Sequence, residues 1–259
     1  MPAVNFRLAL VTGATSGLGN ALCDLLSRRG IPLFLTGRDE TLLKAAEVRY
    51  NAGSLSLDLN YNRDPLLHWI EEHQPDLVIN NAGLALYGPV LMHPTESQME
   101  ILEVNGAAAI EISIEAARSL LAHKKKGIIL NVSSSAGQFS TPTMAVYAAS
   151  KSLLTSFSKS FDAEVRSSGI RILASLPGPI ATSFAERASG GLFKQRPSWH
   201  VMSPKQAAQK IWQQIEKQKG VRVIDFRTRA ALAITRFLPS ILVKKILQKK
   251  ISQRYTHCP

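Results

Sequence analysis

Short apolar runs alternate with helix-length amphipathic stretches along most of this 259-residue chain. The apolar runs predict strands at about 6–12, 31–36, 54–57, 77–80, 127–132, 170–176 and 221–224. The amphipathic stretches predict helices at about 17–29, 39–48, 63–73, 96–122, 145–167 and 204–218. Repeated βα units build a parallel sheet with helices on both faces. The sequence therefore predicts one α/β domain, with a doubly wound, mostly parallel, seven-stranded sheet.

A glycine-rich turn, Thr12 to Gly19, follows the first predicted strand and opens the first predicted helix. Glycines let the backbone approach a pyrophosphate, and a helix N-terminus supplies amide donors. The glycine spacing differs from the commonest dinucleotide fingerprint, so a purely structural turn is the alternative. Its position in the first βα unit favours a nucleotide site. The residues predicted to bind there are Gly13, Thr15, Ser16, Gly17, Leu18 and Gly19.

Residues at the ends of the next strands indicate the type of nucleotide. Arg38 can pair with a 2′-phosphate, where an acidic residue would suit NAD, although a solvated surface arginine is the alternative. Asp58 can accept a hydrogen bond from adenine or simply cap a loop. NADP(H) is therefore favoured over NAD(H). Further nucleotide-binding residues predicted at this edge are Leu59, Asn81, Ala82 and Gly83.

Tyr147 and Lys151 stand four residues apart on a predicted helix, and Ser134 lies thirteen residues upstream. Side chains at positions i and i+4 share a helix face, so the ammonium can lie beside the phenol. A nearby cation favours phenolate, and we expect it to lower the pKa of Tyr147 towards neutrality. This pair can occur by chance in a helix, but here it accompanies a nucleotide site. The three residues predict proton transfer to or from a substrate.

The order and spacing of these motifs, with Asn105 and Pro177 to Thr182, resemble the short-chain dehydrogenase/reductase (SDR) family. The resemblance implies a Rossmann-type fold and hydride transfer between NADP(H) and a carbonyl or alcohol. It implies catalytic roles for Asn105, Ser134, Tyr147 and Lys151, no metal, and a homodimer or homotetramer. Tyr147 and Lys151 would also contact the nucleotide. Further nucleotide contacts implied by the resemblance are Pro177, Gly178, Ile180 and Thr182.

Within this resemblance, Tyr147 would protonate the substrate oxygen and Ser134 would donate a hydrogen bond to it. Lys151 would hold the nicotinamide ribose, and Asn105 would support a water that passes protons to the lysine. Ser133 and Ser135 are hydroxyl alternatives to Ser134, but the thirteen-residue spacing selects Ser134.

Residues 183–203 are predicted to form a lid over the substrate. Its aromatic and aliphatic side chains favour an apolar substrate such as a 3-oxoacyl thioester, a ketone or an aldehyde. These side chains could equally cover a neighbouring core. The apolar lid residues are Phe184, Leu192, Phe193 and Trp199, with Gly190 and Gly191 as its predicted hinge.

The last residues are strongly basic. From Gly191 to the end the sequence has fifteen Lys/Arg and two acidic residues, whereas the preceding residues are nearly neutral. We divide the chain into an SDR domain, 1–227, and a basic amphipathic helical tail, 228–259. The tail could lie on an anionic membrane surface, cover the pocket or contact another subunit, and nucleic acid is a poor fit because stacking aromatics are scarce.

The two cysteines match no metal spacing, and their small number indicates a reducing compartment. We therefore expect a cytoplasmic protein, with the inner face of a membrane as the alternative location that the basic tail leaves open. A second functional class also stays open. In it, the chain binds nucleotide as a membrane-surface or regulatory module without useful turnover.

Overall fold

The computed structural model describes residues 5–15, 17–191 and 201–235, and these contain the predicted seven-stranded sheet. All strand pairs are parallel, and the spatial order is β3-β2-β1-β4-β5-β6-β7. The predicted fold class is confirmed. The strands are β1 Ala9–Thr12, β2 Leu33–Gly37, β3 Gly53–Ser56, β4 Leu77–Asn80, β5 Gly127–Val132, β6 Ile170–Leu176 and β7 Val221–Val223.

Helices connect the strands and cover both faces of the sheet. They are α1 Gly17–Ser27, α2 Glu40–Tyr50, α3 Asp64–His73, α4 Thr95–Leu102, α5 Ala109–Ala122, α6 Ala145–Val165, α7 Phe184–Ala188, α8 Pro204–Glu216 and α9 Phe226–Thr235. The single helix predicted at 96–122 is interrupted, because a π-helical turn at Glu103–Ala108 joins α4 to α5. Short 3₁₀ turns occur at Val90–Met92, Ser135–Gln138 and Arg166–Ser168.

The central strands β1, β4 and β5 are buried along their whole length, as expected for a parallel sheet covered on both faces. One hydrophobic cluster joins the sheet to α1 and α8, and a second joins it to α3 and α5. Fully buried side chains anchor these contacts, among them Leu22 and Leu26 of α1, Ile211 and Ile215 of α8, Leu66 and Ile70 of α3, and Ile112 and Leu120 of α5.

The strand order reverses between β1 and β4, which lie side by side in the sheet. In open α/β sheets this reversal leaves a crevice at the carboxyl ends of the strands, where ligands bind. The glycine turn follows β1 and the segment from Asn81 to Gly83 follows β4. The topology thus brings two of the predicted nucleotide-binding segments to one crevice.

The chain passes from the last strand into α9 at the edge of the sheet. The side chain of Asp225 accepts hydrogen bonds from the amide and the hydroxyl of Thr228, and so caps the helix start. Residues 236–259 of the predicted tail lie outside the described residues, so the domain division stays a prediction. In the part of the chain that the structure describes, no helix is long and apolar enough to cross a membrane.

Candidate active site

Neighbouring atoms leave no room for a side chain at several positions of the glycine turn. Gly13 and Gly17 have φ of 63° and 54°, a region that side-chain-bearing residues rarely adopt. A Cβ on Gly19 would lie 2.1 Å from the carbonyl oxygen of Gly13, and one on Gly13 would lie 2.9 Å from Cα of Ala82. Glycine therefore lets the turn close tightly against the start of α1, and the resulting cradle fits a pyrophosphate on a helix N-terminus.

Thr12, the last residue of β1, ties this turn to the end of β4. Its hydroxyl accepts hydrogen bonds from the amides of Asn81 and Ala82, each at 3.0 Å. The side-chain amide of Asn81 donates in return to the carbonyls of Thr12 and Gly13, at 3.0 and 3.1 Å. Four hydrogen bonds thus fix the two walls of the crevice at a constant separation.

The residues predicted to contact the adenosine end of the nucleotide lie together beside this crevice. The guanidinium of Arg38 faces the carboxylate of Asp58 at 3.6 Å, and the arginine side chain is 60 % exposed. A Cβ on Gly37 would lie 3.2 Å from the methyl of Thr15, so the turn and the end of β2 adjoin. Leu59 and Leu18 are buried, so only their backbones can face a nucleotide. Ser16 lies outside the described residues.

Tyr147 lies in the first turn of α6, and the Ser134 hydroxyl is close enough to act on the pKa of its phenol. Ser134 has extended backbone geometry immediately before a short 3₁₀ turn, and its hydroxyl accepts a 3.1 Å hydrogen bond from the amide of Ala136 in that turn. The ring of Phe184 from α7 lies 5.8 Å from that of Tyr147, centroid to centroid. The structure therefore brings the predicted serine and tyrosine together, with an aromatic side chain of the lid beside them.

Lys151 is buried, and its ammonium donates a 2.9 Å hydrogen bond to the carbonyl oxygen of Val132. Burial lowers the pKa of Lys151 to about 8. The ammonium lies 5.9 Å from the ring centroid of Tyr147. Contrary to the expectation from the sequence, the pKa of Tyr147 is raised to about 12, because burial disfavours the phenolate more than the Ser134 hydrogen bond favours it. In the described chain, the phenol is therefore a protonated acid at neutral pH.

The two alternative serines have structural contacts. The hydroxyl of Ser133 donates to the backbone carbonyl of Lys151 at 2.7 Å and also contacts Thr155. Ser135 is buried, and its amide donates to the carbonyl of Pro177. Of the three serines, Ser134 is the one whose hydroxyl acts on the pKa of Tyr147, and its selection as the catalytic serine stays a prediction.

Asn105 lies in the π-helical turn and is fully buried. Its side chain accepts from the amide of Leu84 at 2.7 Å and donates to the carbonyl of the same residue at 2.8 Å. It also donates to the hydroxyl of Ser150, which in turn donates to the carbonyl of Tyr147. A Cβ on Gly83 would lie 3.2 Å from the Asn105 oxygen. Asn105 thus joins the segment after β4 to the helix of Tyr147.

The segment after β6 forms a further part of the crevice and reaches the start of α1. Thr182 lies against the glycine turn, since a Cβ on Gly17 would be 3.0 Å from its methyl. Ile180 forms a parallel bridge with Met202, which returns the far end of the lid to this segment. Gly178 has a structural role that the sequence did not suggest, because a Cβ there would lie 2.4 Å from the hydroxyl of Thr228.

Three segments meet beside the start of α6, the helix that carries Tyr147. The amide of Tyr87 donates to the carbonyl of Ala188 at the end of α7, and the amide of Gly88 donates to that of Thr143. An electrostatic contribution from Tyr87 adds to the raised pKa of Tyr147. Gly190 and Gly191, the predicted hinge, both have positive φ. The lid residues Leu192, Phe193 and Trp199 lie outside the described residues.

Sequence reasoning missed several residues that build this site. Thr12 and Ser133 fix backbones around it, and Ser150 connects Asn105 to the catalytic helix. The position of Ser150, next to Lys151, was a usable signal. No role at the site was predicted for Tyr87, whose electrostatic effect on Tyr147 depends on tertiary packing.

The doubly wound sheet, the glycine turn and the cluster of Ser134, Tyr147 and Lys151 define a Rossmann-type, nucleotide-binding class of protein. Residues 7–191 match the short chain dehydrogenase family, and the chain belongs to that family. An uncharacterized oxidoreductase of Staphylococcus epidermidis is 29% identical over 197 residues, which are 74% of this chain and 85% of that protein. The inactive hydroxysteroid dehydrogenase-like protein 1 of Pongo abelii is 30% identical over 210 residues, 77% of this chain and 62% of that protein.

Solved structures share the fold. A short chain dehydrogenase of Burkholderia cenocepacia in complex with NADP has a TM-score of 0.79 and 24% identity, and the match covers 93% of this chain and 97% of that one. A 4-hydroxyisoleucine dehydrogenase complexed with NADH has a TM-score of 0.73 and 24% identity, with 85% and 97% covered.

Proposed function

We propose that this protein is an NADP(H)-dependent oxidoreductase that reduces an apolar carbonyl compound or oxidises the corresponding alcohol. The observation that carries the proposal is the grouping of Ser134, Tyr147 and buried Lys151 at the carboxyl edge of the sheet, with the Lys151 ammonium 5.9 Å from the Tyr147 ring centroid. The glycine cradle of the turn after β1 opens at the same edge. A nucleotide in that cradle would extend towards the tyrosine.

The residues divide the chemistry of carbonyl reduction between them. NADPH, when bound, supplies the hydride. Tyr147 would donate its phenolic proton to the carbonyl oxygen, and the Ser134 hydroxyl would hold that oxygen by a hydrogen bond. The buried ammonium of Lys151 would stabilise the tyrosinate left after proton transfer, which makes proton donation easier than the raised pKa alone suggests. Asn105 would hold the backbone around these groups in register.

The surroundings of Tyr147 favour a substrate with an apolar body. Phe184 packs on one side of the phenol and buried Met144 precedes the helix that carries it. Burial of apolar substrate surface against these side chains would supply binding energy, while Ser134 and Tyr147 orient the single polar group. A 3-oxoacyl thioester, a ketone and an aldehyde all fit this description.

A panel of carbonyl compounds tests the proposal. Pure protein is mixed with NADPH and, in turn, acyl thioesters, cyclic and steroidal ketones, quinones and simple aldehydes, and NADPH oxidation is followed. We expect turnover with one apolar class. Tight NADPH binding without turnover on any class would instead support the second interpretation, a nucleotide-binding module that does not catalyse, and absence of NADPH binding would refute both.

The preference for NADP(H) rests on Arg38. A charge-assisted contact with the 2′-phosphate contributes about 1.5–3 kcal/mol, so Arg38→Ala should weaken NADPH binding roughly ten- to a hundredfold. NADH binding should change less than about threefold, since NADH lacks that phosphate. Arg118, an exposed arginine paired with Glu115, supplies the control substitution Arg118→Ala. Equal losses for both nucleotides in Arg38→Ala would contradict the assignment. Fluorescence titration of both nucleotides is the measurement.

The predicted homodimer or homotetramer, with helices at about 96–122 and 145–167 in the interface, stays a prediction. So do the cytoplasmic location and contact of the tail with an anionic membrane, for which the described residues supply no further argument.

A further inference from the structure

Arg63 makes an unusual set of contacts for a residue outside the site. Its side chain is only 16% exposed, and it pairs with two carboxylates at once. Nη1 donates to Glu103 at 2.8 Å and to the carbonyl oxygen of Leu59 at 2.7 Å, while Nε donates to Glu111. One guanidinium therefore joins the segment after β3 to Glu103, where the π-helical turn begins, and to Glu111 in the first turn of α5, just after the π-helical turn ends.

The two glutamates can share one partner because of this turn. They are eight residues apart, and a regular α-helix rotates about 100° per residue, so their side chains would point about 80° apart. A π-helical turn takes up one extra residue. The rotation between Glu103 and Glu111 is then that of about seven α-helical residues. Their side chains therefore point in directions that differ by only about 20° around the helix axis. The double ion pair therefore fits the helix with its π turn better than a regular α-helix.

Asn105 lies inside this turn, two residues after Glu103. Its side-chain amide makes three hydrogen bonds, to both backbone groups of Leu84 and to Ser150. The Asn105 side chain is tightly packed, since even a methyl group on Gly83 would lie 3.2 Å from the Asn105 side-chain oxygen. Conversion of the π turn to α-helix would rotate the following residues and misalign the amide with Leu84.

We propose that Arg63 is a positioning residue that clamps the π-helical turn through Glu103 and Glu111 and so holds Asn105 in its bonded position. The proposal rests on the proposed function insofar as Asn105 serves catalysis. The same guanidinium also binds the carbonyl oxygen of Leu59, the residue after Asp58. The clamp therefore connects the adenosine end of the predicted nucleotide site to the π-helical turn between α4 and α5.

Hydrogen exchange tests the clamp without reference to activity. Arg63→Lys keeps the charge but loses the planar fork that serves three acceptors at once. We expect amide exchange in residues 104–109 to rise about tenfold or more, with exchange in β5 unchanged. Arg171→Lys is the matched control, because Arg171 is 17% exposed and pairs with Asp162 away from the site. It should raise exchange near residues 162–172 only.

A milder variant, Glu103→Gln, removes only one carboxylate of the clamp. It tests the same proposal if the Arg63→Lys protein unfolds as a whole. Unchanged exchange over 104–109 in both variants would overturn the clamp, as would an equal rise throughout the chain.

In the enzyme assay, Arg63→Lys should lower kcat about tenfold with little change in the KM of the carbonyl compound. If the wild-type protein turns over no carbonyl compound, the proposed function fails, while the exchange experiment still decides on the clamp.

Discussion

Tyr147→Phe is expected to reduce NADPH-dependent turnover of the carbonyl substrate by about 10²–10⁴-fold, the usual contribution of a positioned acid. The substitution removes one oxygen and keeps the ring, so its packing against Phe184 persists. It also removes one of the two proposed donors to the substrate oxygen, which leaves Ser134 as the single donor. Single-turnover measurements with saturating NADPH would isolate this loss from changes in binding.

NADPH affinity in Tyr147→Phe should stay within about threefold of the wild-type value, because the phosphates and adenine lie on other segments. Tyr61→Phe is the matched control: Tyr61 is 78% exposed and remote from Ser134, so its loss should leave turnover unchanged. A Tyr147→Phe protein that keeps more than about half of its turnover would exclude the phenol as the acid. Solvent or another donor would then have to supply the proton.

The central strands of the sheet were predictable from sequence because burial on both faces makes each of them a mostly apolar run. β5 at Gly127–Val132 and β6 at Ile170–Leu176 match the predicted ranges residue for residue. The start of α8 was equally readable, since Ser203 and Gln206 form a reciprocal capping box with proline in the first turn. Local signals sufficed wherever the controlling interactions were themselves local.

The features that sequence reasoning missed depend on residues far apart in the chain. The π turn interrupts a helix whose periodicity did not indicate it. Arg63, forty residues before Glu103, contacts the first residue of that turn and Glu111 just beyond it. The pKa of Tyr147 was misjudged for a related reason. Helical spacing places Lys151 on the correct face, but it says nothing about how far packing removes the phenol from water. Tertiary contacts and desolvation decide these properties, and short-range patterns do not contain them.

Gly19→Ala is expected to abolish measurable NADPH binding, a loss of at least about a hundredfold in affinity. The new methyl would lie 2.1 Å from the carbonyl oxygen of Gly13 and 2.6 Å from the side-chain amide of Asn81. Both neighbours are held by the hydrogen bonds that connect β1 to β4, so neither can withdraw without opening the crevice. Overpacking of this kind costs about 1–3 kcal/mol or more in a well-packed region.

Gly220→Ala separates this effect from the general cost of replacing a glycine. A Cβ on Gly220 would have Asp162 as its nearest neighbour at 3.9 Å, so alanine fits there. We expect native NADPH affinity in Gly220→Ala and none in Gly19→Ala, with fluorescence titration as the measurement and circular dichroism as the check on folding. Native affinity in a folded Gly19→Ala protein would show that the nucleotide does not depend on this turn. Because Tyr147→Phe should spare binding and Gly19→Ala should remove it, the pair separates the place where the nucleotide binds from the group that transfers the proton.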